Sequence, residues 1–377
     1  MEAFKHRLGP KEVRAAAAHL GRVHRGFDAA AFERAALRGL GALEFKARAQ
    51  HVSAALETHL PSDFDRAADV LERALADASE GDDLSQLETN STGLAGWIVW
   101  PCTEFVARRG IDRPERALDC LHALTQRFTA EWAIRPFLEQ HRKVTLARLE
   151  TWCDDRSPHV RRLVSEGSRP RLPWGRPLRF LIEDPSPTLP LLARLLDDPS
   201  AYVRRSVANH LNDIAKDHGQ RVVDWLQSQG ADRSPERTAL ARHACRTLIK
   251  SGHPGALALF GLGRRLAGTA RLTLRPKRVV LGDSLRIAVH IESAARVPQT
   301  LEIDYTVHHV EGNGSTSPKV FKGWRKVLEP GQSLTLEKEH KLRPITTRRY
   351  HGGAHPVELM VNGQCEAKDQ FRLVVDP

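Results

Sequence analysis

Three stretches carry side chains whose types and spacing suit chemistry. Residues 161–178 read RRLVSEGSRPRLPWGRPL, where Gly167, Pro170, Pro173, Gly175 and Pro177 forbid a continuing helix. Arg162, Arg169, Arg171, Arg176 and Trp174 stand in or beside that broken segment. Residues 202–216, YVRRSVANHLNDIAK, place Val203, Val207, Leu211 and Ile214 on one helical stripe. A second stripe carries Arg205, Asn209, Asn212, Asp213 and Lys216, which are donors for phosphate together with one carboxylate. Arginine forks grip phosphate oxygens bidentately, and such oxygens recur along a nucleic-acid backbone. In 127–141, RFTAEWAIRPFLEQH, Glu131 and Arg135 lie four apart beside Phe128, Trp132 and Phe137. By spacing alone that pair reads as an ordinary ion pair at the break set by Pro136. Trp132 and His210 read as packing residues, and nothing local chooses catalysis over scaffolding.

The elements that must hold these residues fall into two regions. Up to about residue 266 the chain is rich in Ala, Leu, Arg and Glu, with apolar residues at three- and four-residue spacing. DDRSPHVRRLVSE (154–166) aligns with DDPSAYVRRSVAN (197–209) at an offset of 43 residues, within the range of HEAT and armadillo repeats. Residues 231–248 resemble a third, degraded copy. In this alignment Arg162, Glu166 and Arg169 share the polar stripe of the following copy, and Arg161 and Arg204 are expected to tie neighbouring repeats together. From residue 268 the pattern becomes short alternating segments separated by LGD, EGNG, EPGQ and VNGQ. The expected architecture is an all-α HEAT-like repeat solenoid over 1–266 followed by a small all-β immunoglobulin-like sandwich over 268–377, with seven strands.

The bulk properties narrow the partners. The chain has 377 residues and a net charge of +11, which points to an acidic partner. No apolar run is long enough to span a bilayer, and MEAFKHRLGP is not expected to act as a secretory signal. Five scattered cysteines, none spaced C-x-x-C, argue against a zinc site or disulfide framework and for a cytoplasmic setting. His308 and His309 fall on opposite strand faces without metal-ligand spacing. The loop ITTRRYHGGAH (345–355), with Arg348, Arg349 and Tyr350, suits a groove or backbone probe. Lys319, Lys322 and Lys326 suit a sheet edge guarded against further pairing.

EWAIRPFLEQ, VRRLVSEGSRPRLPWGRPL and DDPSAYVRRSVANHLNDIAKDH resemble the signature stretches of the AlkC branch of the AlkD/AlkC DNA alkylation-repair proteins. The resemblance covers nearly the whole chain. It implies a monofunctional glycosylase that removes cationic alkylated bases, 3-methyladenine and 3-methylcytosine, from double-stranded DNA in base excision repair. It also implies that the damaged base is not flipped into an enclosed pocket. Carried onto this sequence, the catalytic carboxylates are Glu131 and Asp213, and Trp174 faces the sugar. Arg162 and Arg169 hold phosphates beside the lesion, and Arg171, Arg205, Asn209, Lys216, Arg348 and Arg349 add further DNA contacts. No metal or organic cofactor is implied, nor a membrane partner; a monomer acting on the nucleoid is expected. The competing reading is a catalytically silent HEAT-type scaffold that binds DNA.

Overall fold

A computed structural model describes residues 4–78, 81, 84, 87–230, 234–262, 265–344 and 349–375. The chain groups into two compact units: 1–217 with 229–244, and 218–228 with 245–377.

The first unit opens with α1 (Pro10–Val23), α2 (Ala29–Leu37), α3 (Phe45–His59) and α4 (Phe64–Arg73). It continues through α5 (Val99–Arg109), α6 (Pro114–Thr125), α7 (Arg135–Gln140), α8 (Arg142–Trp152) and α9 (Pro158–Gly167). Its last helices are α10 (Arg179–Glu183), α11 (Leu189–Arg194), α12 (Ala201–Ala215) and, beyond α13 (Gly219–Ser228), α14 (Pro235–Ala244). The sequence marks many of these starts. The Asp28, Asp63 and Ser200 side chains accept from backbone N–H groups of the first turns of α2, α4 and α12. Pro114 and Pro158 occupy the first turns of α6 and α9, where a missing N–H costs nothing.

The helices stack in two layers. One runs through α4, α6 and α8; the other contains α3 on α5, then α9 on α12 and α12 on α14. Ion pairs cross between successive helical units: Arg116 to Asp69 (2.7 Å), Arg148 to Asp119, Arg194 to Asp154, and Arg237 to Asp197 (2.6 Å). Arg161 ties its repeat to the next by a fork onto Asp198, at 2.6 and 3.0 Å. Arg204 donates to the Asp198 carbonyl at 2.6 Å. Arg161 therefore has the expected task of tying repeats together, whereas Arg204 secures the turn that opens its own helix.

The second unit packs α13, α15 (Arg246–Lys250) and α16 (Pro254–Leu259) with a two-sheet sandwich. The strands are β1 (Gly268–Arg275), β2 (Arg278–Val280), β3 (Ser284–Ser293), β4 (Gln299–Val310), β5 (Thr316–Leu328), β6 (Ser333–Lys341), β7 (Gly353–Val361) and β8 (Gln364–Val374). One sheet is ordered β1-β3-β6 and the other β2-β8-β7-β4-β5. The strand-rich region expected from residue 268 starts where β1 starts. Among the described residues eight strands form, not seven: β2 has three residues, too few to display alternation, and pairs parallel to β8. Leu285, Ile287, Val289 and Ile291 of β3 face Leu301, Ile303, Tyr305 and Val307 of β4 in one core. Asn362 and Gly363 join β7 to β8 with φ of 50° and 78°, the left-handed pair that suits a two-residue hairpin. β5, which carries Lys319, Lys322 and Lys326, is a sheet edge.

Candidate active site

α6 ends at Thr125, and the chain turns before α7 begins at Arg135. Glu131 sits in that turn with only 7% of its surface exposed. Its Oε2 accepts from Thr129 Oγ1 at 2.7 Å and from Arg162 Nη1 at 2.9 Å. Arg162 projects from α9 over the Tyr202 ring of α12, 4.8 Å from its centroid. From there the charges alternate. Arg162 Nη2 lies 3.7 Å from Glu166 Oε1, which accepts from Arg169 Nη1 at 2.6 Å. Arg169 Nε donates to Asp213 Oδ2 at 2.8 Å, and Lys216 Nζ donates to Asp213 Oδ1 at 2.8 Å. Ser206 Oγ donates to the other Glu166 oxygen at 2.5 Å. Glu131 and Asp213, 82 residues apart in sequence, are thus the two ends of one continuous chain of opposite charges across α9 and α12.

The three middle members, Arg162, Glu166 and Arg169, are held in their charged forms despite burial. Burial works against the charges on Arg162 and Arg169, but Glu131 and Glu166 outweigh it at Arg162. At Arg169, Glu166 and Asp213 do the same. Both guanidiniums are held above their ordinary value. Burial also opposes charge on Glu166, and Arg162 with Arg169 reverse that and hold its carboxyl below the usual range. Burying such pairs costs desolvation, which added hydrogen bonds offset: Ser206 donates to the second oxygen of Glu166, and Thr129 adds a bond to Glu131 Oε2.

The loop between α9 and α10 supplies the indole. Pro170, Pro173 and Pro177 have no N–H, so the loop cannot satisfy its own carbonyls by regular pairing. Side chains from an earlier segment and helix do so instead. Trp132 Nε1 donates to Pro173 O at 3.1 Å, Lys46 Nζ to Trp174 O at 3.4 Å, and Arg135 to the carbonyls of Gly167, Arg169 and Arg176. Trp174 takes a left-handed φ of 60° and leaves 64% of its surface exposed. It lies 5.4 Å from the Phe45 ring and 6.4 Å from Trp132 in a near-parallel arrangement. With Trp100, Glu44 and Lys46 these rings line an open cleft of about 390 Å³.

Residues 268–375 match the family described as the C-terminal Ig-like domain of uncharacterised protein YhaZ, and residues 188–218 match the HEAT repeat. Over 282 residues the chain is 37% identical to the uncharacterised protein YhaZ of Bacillus subtilis (strain 168), covering 74% of this chain and 77% of that protein. The alkylpurine DNA glycosylase AlkC of Pseudomonas fluorescens, solved bound to DNA containing an abasic site analog, is similar throughout. Its TM-score is 0.89 at 33% identity, over 99% of this chain and 100% of that one. This chain belongs to the AlkC family.

In this AlkC-family chain the structure gathers Glu131, Arg162, Arg169, Asp213 and Lys216 into one cluster and hangs Trp174 from the same loop as Arg169. Other sequence-selected residues fall elsewhere. Arg205 is exposed in a groove between α12 and α14, and Asn209 pairs with His243 of α14 at 2.9 Å. Arg171 is exposed and forks onto Asp217 at 3.1 and 2.9 Å. Arg349 is exposed in the second unit, and Arg348 lies outside the described residues.

Several expectations change. The Glu131–Arg135 ion pair does not form, because Glu131 turns to Arg162 while Arg135 turns to loop carbonyls. Arg162 and Arg169 donate to carboxylates inside the cluster, since three acidic groups lie within reach of their forks; a role on phosphates belongs to the proposal below. Trp132, read as a packing residue, is half-buried and lines the cleft, because the turn frees it from helical geometry. Phe45, Trp100 and Lys46 went unseen in the sequence; Phe45 and Lys46 open α3 and Trp100 lies in α5, so no local spacing joins them to Trp174. His210 is buried, as read, between Ser165 O (3.0 Å) and Thr188 Oγ1 (3.4 Å). His309 is buried and His308 half-buried against Glu358, as their alternation on β4 requires. Among the described residues no three His, Cys, Asp or Glu side chains are grouped to hold a metal ion.

Proposed function

We propose that this chain is a monofunctional DNA glycosylase that hydrolyses the N-glycosidic bond of cationic alkylated bases, 3-methyladenine and 3-methylcytosine, in duplex DNA. The observation that carries this reading is the pair of carboxylates, Glu131 and Asp213, held on one charge chain whose Arg169 stands in the same loop as an exposed indole. The likeness to an alkylpurine DNA glycosylase supports it.

An N3-methylated base carries a positive charge, so the C1′–N bond breaks with its electron pair moving onto the base, which leaves neutral. No acid is needed to protonate it. What remains is an oxocarbenium-like deoxyribose, and the two carboxylates stabilise that cation. Among the described residues no donor meets Glu131 Oε1, which leaves it open to sugar or water, whereas both oxygens of Asp213 are bonded. The Lys216 side chain is 41% exposed and is able to swing to a phosphate, releasing Asp213 Oδ1. Water then adds at C1′ and loses its proton toward a carboxylate, leaving an abasic site. The Trp174 face adds cation–π attraction of about 1–2 kcal/mol once the site is dry.

The cleft beside Trp174 is open rather than enclosed, which suits a lesion attacked while still in the duplex. Because little activation of the leaving group is on offer, only bases that are already cationic should be released. Lys46, Arg171, Arg176 and Lys216 are exposed, and on this reading they meet phosphates near the lesion, with Arg162 and Arg169 beside it. The chain acts as a monomer in base excision repair on this reading, with Arg205, Asn209, Arg348 and Arg349 as outlying contacts. Chromatography of bases freed from duplexes carrying 3-methyladenine or neutral hypoxanthine tests it. Release of the first alone is expected; release of neither, or of both at similar rates, overturns the reading in favour of a silent scaffold or of a different chemistry.

A further inference from the structure

Arg135 is a large charged side chain with 1% of its surface exposed, and among the described residues it forms no ion pair. Burial pushes its guanidinium down to about 10, which still leaves it charged at neutral pH. Such a residue is costly to bury unless its donors are satisfied. They are. Nη1 reaches Gly167 O at 2.9 Å and Arg169 O at 2.8 Å, Nε reaches Arg176 O at 2.8 Å, and Nη2 shares that last carbonyl. The bonded carbonyls bracket the loop: one at its start, one beside Asp213's partner, and one two residues past Trp174.

The approach excludes a side chain at Gly167 and leaves one crowded at Gly175. A Cβ on Gly167 would meet Ile134 Cγ2 at 2.5 Å, and one on Gly175 would meet Arg135 Nε at 3.3 Å and Leu172 Cδ2 at 3.2 Å. The loop's own bonds are few: Gly175 N to Leu172 O at 3.1 Å and Leu178 N to Pro170 O at 3.0 Å. Its register is therefore set largely from outside.

We infer that Arg135 is a positioning residue. By holding three carbonyls of one loop it fixes Arg169 against Asp213 and Trp174 at the cleft simultaneously, coupling the anionic and aromatic halves of the site. The consequence for activity rests on the glycosylase reading; the consequence for the loop does not. Lysine keeps the charge, but its single nitrogen cannot span all three carbonyls.

The test uses the full chain with Arg135→Lys, and Gly175→Ala as a second route to the same seam. Three quantities are read: amide hydrogen exchange by mass spectrometry, single-turnover release of 3-methyladenine, and affinity for a duplex with an abasic-site analogue. Expected are faster exchange confined to 168–178, release slowed about 10- to 100-fold, and duplex affinity changed less than about threefold. Release within twofold of wild type despite lost loop protection overturns the inference, as does equal loss of rate and affinity. If Arg135→Lys loses protection throughout, Gly175→Ala decides by the same criteria. No release by the wild type would sink the glycosylase reading instead, leaving the exchange result to judge the loop.

Discussion

Trp174 is held in a backbone conformation that disfavours side chains, with most of its indole in water. The backbone conformation costs stability, on the order of 1 kcal/mol. Trp174→Gly relieves that strain but also loses the indole's packing on Phe45 and Trp132, so its unfolding temperature is expected to stay close to that of wild type, while on the glycosylase reading base release falls roughly 5- to 30-fold. Calorimetry and a release assay check the two halves; a protein both less stable and fully active would contradict them. The indole was legible in the sequence because three prolines and two glycines framed it. The partners of Glu131 were not, since a turn places it and the spacing to Arg135 suggested a helix that is not there. Phe45 and Trp100 belong to other repeats and join the cleft only in three dimensions.

At the level of elements, the α9–α12 pair joins structure to chemistry. The repeat that predicted it, DDRSPHVRR against DDPSAYVRR, was visible because inter-repeat ties such as Arg161 to Asp198 constrain residue type at fixed offsets. Which arginine faces the cluster was less visible: Arg162 enters it, but its equivalent Arg205 faces the groove with α14. Buried between these helices and Thr188, His210 is lowered to about 4, chiefly by burial. Unfolded histidine titrates near pH 6.5. As pH falls below that value the unfolded chain gains a proton that the folded chain refuses, so stability declines between about pH 6.5 and about 4. His340 in the sandwich, lowered to about 4 chiefly by burial, adds a decline of the same sign. Glu166, held low by its arginines, contributes stability present above about pH 4 that is lost only as pH falls through its depressed value. Thermal melts across pH 4–8 are expected to fall with acidity for wild type and more shallowly for His210→Gln. Parallel curves would remove His210 as the cause.

For the molecule as a whole, a net charge of +11 with exposed basic residues on and near the loop predicts an affinity for duplex DNA that depends on salt. Between about 50 and 200 mM salt, affinity should fall about a thousandfold if six or more phosphates are neutralised. A flat response by fluorescence anisotropy would mean that the cations do not track a backbone. The two-part architecture was legible because helical and strand periodicities differ and change over near residue 267. The larger extent of the second compact unit was not, since α13, α15 and α16 have the same amphipathic pattern as the repeats before them. The most direct measurement is single-turnover release of 3-methyladenine by Glu131→Gln and Asp213→Asn, alongside their affinity for an abasic-site duplex. Two carboxylates stabilising a sugar cation predict a loss of at least about 100-fold in each variant with binding nearly intact; release at the wild-type rate by either one would contradict that mechanism.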